Sequence, residues 1–170
     1  MPEKATQRRA QRDKAEGKSA STQAGEFVRE EIDHVREGKH GARSPKQVIA
    51  IGLSKARRAG VALPPPNPGK TSKETQRKAK SDAARGRRGP GASRRAPAAR
   101  RSRATRNALR HEGQSAASDA SLAKQARSAA ARRSPSERRA ASRKGVRTKG
   151  PSRRKASAKK AARTRAAHSS

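Results

Sequence analysis

Lysine and arginine are the side chains with chemistry to offer in this sequence. Positions 64–170 hold 32 of them against five carboxylates (Glu74, Asp82, Glu112, Asp119 and Glu137), a net charge of 32 − 5 = +27. They come in clusters: Arg85, Arg87 and Arg88; Arg94 and Arg95; Arg100, Arg101 and Arg103; Arg132 and Arg133; Arg138 and Arg139; Arg153, Arg154, Lys155, Lys159 and Lys160. With a cation about every third residue, the pitch is ~11 Å in extended chain and ~5 Å in a helix. Duplex DNA carries a charge about every 1.7 Å along its axis, so phosphates exceed side chains at either pitch. The chemistry predicted is neutralisation of a polyanion by displacement of its counterions.

Other chemistries lack their residues. There is no cysteine, which removes disulfides, thiolate metal sites and a thiol nucleophile together. His34, His40, His111 and His168 are scattered; the first two are six apart across a helix stop, and no shared metal or cofactor is expected. Glu26, Glu30, Glu31, Asp33 and Glu37 read as a solvated helix face with pairs such as Glu26–Arg29 and Arg29–Asp33. Such a face is also a resting place for the basic tail in the free protein. Gly38-Lys39-His40-Gly41 lacks the strand and spacing of a phosphate loop. Phe27 is the only aromatic, so stacking on bases is excluded as a binding mode. No enzyme is expected, and no sequence-specific readout, because phosphate contacts position a protein without specifying bases.

The elements that carry these cations divide sharply. Of the 14 Met, Val, Ile, Leu and Phe residues, 11 lie in the first 63 positions; Leu109, Leu122 and Val146 are the rest. Residues 1–20 form a polar arm whose isolated helix would be marginal and frayed. A helix is predicted over about Ser21–Glu37, capped by Ser21 or Thr22, with Val28, Ile32 and Val35 as its stripe, Phe27 at the edge and Gly38 as its stop. Ser44-Pro45-Lys46-Gln47 has capping-box form and opens a second helix bearing Val48, Ile49, Ile51, Leu53 and Ala56. Lys55, Arg57 and Arg58 suit its last turn, and Gly60 ends it in a Schellman arrangement.

The expected fold is a small all-α unit, an αα-hairpin over 21–62. A proline-rich linker over 63–69 and a long, mostly disordered basic tail over 70–170 follow it. The tail has too little to bury to offset roughly 1–2 kcal/mol of backbone entropy per residue; nascent helix is expected in alanine-rich pieces such as 119–133. A lone hairpin also buries little. Self-association or docking is therefore expected to cover Phe27, Val28, Ile32, Val35, Val48, Ile49 and Leu53.

The string from Gly38 to Gly60, GKHGARSPKQVIAIGLSKARRAG, resembles a family of short, basic bacterial proteins of unknown function with a K-Q-A-I-A-I-A-L-S-E-A-type helix. The resemblance covers about residues 21–61. Val48 and Gly52 stand where that pattern has alanine, and Lys55 where an acid is frequent. It implies no activity. By composition, the tail resembles linker-histone tails and Lys/Ala-rich bacterial histone-like proteins. The resulting expectation is a non-sequence-specific DNA-binding, histone-like accessory protein of the bacterial nucleoid, with Lys55, Arg57, Arg58 and the tail clusters on phosphates. The alternatives are an RNA- or ribosome-associated protein, and a stress or interaction protein whose head binds a partner while its tail solubilises. No apolar run approaches the roughly 20 residues of a membrane span, and no apolar segment of signal-peptide type follows Met1. A cytoplasmic place, no membrane partner and no small-molecule substrate are expected.

Overall fold

The computed structural model describes residues 2–67, 69, 71–89 and 99–168. Among these residues the chain forms α1 (Lys4–Ala15), α2 (Ala20–Arg36), α3 (Pro45–Arg58), α4 (Lys73–Arg88), α5 (Ala99–Arg110), a 3-10 turn (Ser115–Ala117), α6 (Asp119–Ala131) and α7 (Pro135–His168), with no strand. Residues 1–125 make one compact unit and 126–170 a second.

In the first unit, α2 and α3 pair as the expected hairpin. Ser44 caps α3 by accepting the Gln47 N–H at 3.3 Å. The Gln47 side chain reaches back to the N–H of Arg43 (2.9 Å), one residue before the cap. Both glycine stops close as Schellman turns: the Lys39 N–H donates to the His34 carbonyl (2.9 Å) and the Val61 N–H to that of Ala56 (3.1 Å). α2 begins earlier than predicted, because Ser19 is its cap; the Ser21 and Thr22 hydroxyls bond to that of Ser19.

The head is larger than a hairpin. α1 packs on α2, with Thr6 and Ala10 buried and Arg9 on Glu26 at 2.6 Å. Thr6, Ala10 and Asp13, at i, i+4 and i+7, form its inner stripe. A helix whose buried face holds no large aliphatic looks unanchored in sequence, which is why a frayed arm was expected. One apolar cluster joins Ala10, Ala24, Phe27 and Ala56, with Leu53, Val61 and Leu63 packed against it.

The basic tail also departs from expectation: its described residues are largely helical, and its early part builds the head. α4 lies so close to α3 that a Cβ on Gly86 would sit 2.0 Å from the Arg57 carbonyl oxygen. In the last turn of α5 the Leu109 carbonyl accepts the Gly41 N–H (2.8 Å), and just beyond the helix the Gly113 carbonyl accepts that of Ala42 (3.0 Å). The 3-10 turn then inserts Ala116 and Ala117 among Val35, Ala42 and Val48. Alanines supply this buried surface. Three of the tail's carboxylates fasten it, pairing Asp82 with Arg58, Glu112 with Arg43 and Asp119 with Arg36.

Gly86→Val is expected to pry α4 from α3 and to lower unfolding free energy by about 1–3 kcal/mol, the usual cost of overpacking. Urea titration of the full chain measures it, and an unchanged midpoint would contradict the close approach.

In the second unit, Ser134 and Glu137 complete a reciprocal capping box: the Glu137 N–H donates to Ser134 Oγ (3.2 Å) and the Ser134 N–H to Glu137 Oε2 (2.9 Å). α7 then runs to His168 with one interruption. Gly150 has φ 67° and ψ 171°, open to glycine alone, and Pro151 follows. Two helical segments result, 135–149 and 151–168. Their described side chains are exposed apart from the Gly150 break, so helix propensity and the N-terminal cap sustain them.

Candidate nucleic-acid interface and a buried ionic cluster

The carboxylates of α2 do not form a solvated face. Glu30 and Glu31, with side chains 2% and 1% exposed, are covered by α1 and α3. Lys55 of α3 enters between them, its Nζ 3.1 Å from Glu30 Oε1 and in charge contact with Glu31 Oε2. That second approach lies off the hydrogen-bond direction, so Glu31 Oε2 accepts no hydrogen bond. Glu30 Oε2 accepts the backbone N–H of Glu3 at 3.1 Å. Burial pushes the Glu30 carboxyl up, but the Thr6 hydroxyl, Lys55 and the Glu3 N–H outweigh it and hold it below the ordinary range.

The sign of the pH dependence follows. With a folded value below the unfolded one near 4.5, Glu30 contributes its full stabilisation above that pH. The contribution is lost as pH falls through the lower, folded value. Urea midpoints of the full chain should hold steady near neutrality and decline below about pH 4.5; midpoints that rise on acidification would contradict this assignment.

The histidines are brought together as well. The turn at Gly38 reverses the chain, so that the His34 and His40 rings meet edge to face with centroids 6.2 Å apart. His40 Nε2 lies 2.8 Å from Glu31 Oε1, and its Nδ1 3.0 Å from the Gly41 carbonyl oxygen. His34 Nε2 lies 2.9 Å from Glu3 Oε1. The separation of six residues concealed this; the helix stop between them was the signal that reveals it.

The neighbouring carboxylates are also engaged, Glu26 by Arg9 and Glu37 by Lys39. Among the described residues, ten acids form ion pairs within the first unit: Glu3, Asp13, Glu16, Glu26, Glu30, Glu31, Glu37, Asp82, Glu112 and Asp119. The acidic face is therefore largely occupied by head cations.

The cations proposed for phosphate contact fall into three groups. Lys55 is held by Glu30 and Glu31, and Arg57 is buried, donating from its guanidinium to the Pro64 carbonyl at 3.2 Å. Burial draws the Arg57 pKa down, with Asp82 opposing. Arg58 is half-exposed beside Asp82 and the Ser54 carbonyl. Arg85, Arg87 and Arg88 are exposed in the last turns of α4, and Arg103 is exposed on α5. Arg94 and Arg95 lie outside the described residues. Arg100 and Arg101 begin α5, and their side chains lie outside the description too. In the second unit Arg132, Arg133, Arg138, Arg139, Arg153, Arg154, Lys155, Lys159 and Lys160 are all exposed. Arg139, Arg143, Lys144 and Arg147 line one groove along α7 with Ser136 and Thr148. The last three of these cations were not singled out from sequence; their positions at i+4, i+5 and i+8 from Arg139 were the available signal.

The residues expected at a head interface divide in two. Phe27, Val35 and Val48 are buried within the first unit. Val28, Ile32, Ile49 and Leu53 are half-buried and line a groove with Leu122 of α6. Among the described residues no helix is long and apolar enough to cross a membrane.

No curated protein and no solved structure matches the chain. Residues 11–67 match the model of a family of unknown function (DUF6496). The match ends before α4 and the cation-rich helices beyond it. It takes in α2, α3 and the ionic cluster, and residues 11–67 are thereby similar to an uncharacterised domain family.

Proposed function

We propose that this protein binds nucleic acid without regard to sequence, as a histone-like accessory protein of the bacterial nucleoid, with DNA as its main partner. The observation that carries this reading is the second unit: residues 126–170 hold 16 Lys/Arg and one carboxylate, Glu137, a net of 16 − 1 = +15, on an exposed helical scaffold. A helix of this width fits the major groove. Its cations release counterions wherever they meet phosphate, which supplies affinity common to all sequences. The single aromatic, Phe27, is 1% exposed inside the head, which leaves no stacking platform.

Fluorescence anisotropy with labelled duplexes tests the reading. If about ten phosphates are contacted, log K falls with log salt at a slope near −9. Scrambled duplexes of equal length should bind alike. Tighter binding to RNA of equal length would move the reading to an RNA-associated protein. No binding to either polymer in dilute buffer would end it.

A further inference from the structure

We propose that Glu31, His34 and His40 form a binding site for one borderline divalent ion of the Zn²⁺ class. Each residue offers a ligand atom, and the three atoms lie within 4.8 Å of one another. Two imidazole nitrogens and a carboxylate oxygen are a donor set suited to zinc and its neighbours rather than to calcium or magnesium. Tetrahedral ligands with bonds of ~2.0–2.1 Å stand ~3.3 Å apart, so small side-chain adjustments, among them a widening of the 2.8 Å His40–Glu31 contact, close the set.

Two further observations favour a cation here. The Gly41 carbonyl only accepts, so His40 Nδ1 carries the hydrogen of that 3.0 Å contact. The His40 Nε2 lone pair is then aimed at Glu31 Oε1, 2.8 Å away. Lone pairs so close repel unless a proton or a metal ion lies between them. A histidine ligand whose other nitrogen donates to a carbonyl is also the usual second layer of a zinc site. Charge points the same way: Glu30 and Glu31 bring two negative charges into the interior, and Lys55 returns one. Glu31 is 1% exposed, and its Oε2 accepts no hydrogen bond. A divalent ion held by His40 and Glu31 would set a cation against that buried, incompletely paired carboxylate.

Glu3, 2.9 Å from His34 Nε2 and half-exposed, orients that ring from the solvent side. The site is independent of the nucleic-acid reading, since it uses none of the exposed cations.

The experiment uses the untagged full chain, so that His34, His40, His111 and His168 are its only imidazoles. Isothermal titration with ZnCl2 should give one ion per chain, and Co²⁺ should develop the visible absorption of a low-coordinate site. Nitrogen-detected NMR should show equimolar Zn²⁺ moving the ring signals of His34 and His40 while leaving His111 and His168 in place. The His34→Gln/His40→Gln double variant and Glu31→Gln should each lose the titration while keeping wild-type helicity. Shifts at His111 or His168 instead, binding that survives in both variants, or no uptake at equimolar metal would overturn the proposal. The NMR arm requires no substitution, so misfolding of a variant cannot mask the answer.

Discussion

Exchanging Arg153, Arg154, Lys155, Lys159 and Lys160 for glutamine is expected to weaken duplex binding by up to about 3 × 10⁴-fold at 0.1 M salt, with the salt slope falling by about 4.5. Both figures have one origin. Each phosphate neutralised contributes about 0.9 to the slope, and at that salt concentration each released ion is worth nearly tenfold. All five side chains are exposed on the second segment of α7, and glutamine keeps helix propensity close to that of lysine and arginine. Charge changes while the scaffold stays. Anisotropy between 50 and 300 mM salt, with circular dichroism confirming unchanged helicity, measures the effect. A slope equal to that of the parent would remove these residues from the interface.

Lys55→Met should lower the stability of the protein by about 3–5 kcal/mol, the usual consequence of leaving buried charge without its partner. Among the described residues, Lys55 is the one lysine reaching both Glu30 and Glu31, whose carboxylates are almost wholly removed from water. The deficit should shrink on acidification, because protonating Glu30 removes charge that lacks a counterpart. Adding Glu30→Gln and Glu31→Gln to Lys55→Met should recover part of the loss, since a neutral interior avoids the desolvation cost. Urea unfolding at pH 7 and pH 4 distinguishes these outcomes; a deficit independent of pH would show that Lys55 contributes by packing alone.

Local signals were legible in the sequence where one short string carries its own physics. Ser44-Pro45-Lys46-Gln47 and the glycines at 38 and 60 placed α3 and the hairpin turn to within a residue or so, because capping depends on neighbours alone. Docking was not legible. α1 and the 3-10 turn contribute Thr6, Ala10, Ala116 and Ala117, small side chains that a search for large aliphatics passes over. The same search left the tail without a core, although Ala79, the Asp82 contacts to Ser54 and Arg58, and the close approach at Gly86 hold α4 on α3. Glu30 and Glu31 looked solvated because their cover comes from helices distant in sequence. Lys55 and Arg57 looked like phosphate contacts because a basic last turn is also what a helix dipole favours. For the second unit, the density of positive charge was plain from composition, whereas the alignment of Arg139, Arg143 and Arg147 required the helix.

The interruption at Gly150 and Pro151 governs what shape of partner α7 can follow. An unbroken helix of 34 residues would be a rod about 51 Å long, and a straight rod meets a cylinder only along a tangent. Most of its charges would stand away from a duplex that curves out of reach. Jointed at Gly150, the helix becomes two shorter struts of about 22 and 27 Å. On the nucleic-acid reading proposed above, each could lie against its own stretch of groove, with the contour of the polymer, rather than that of the protein, deciding the path.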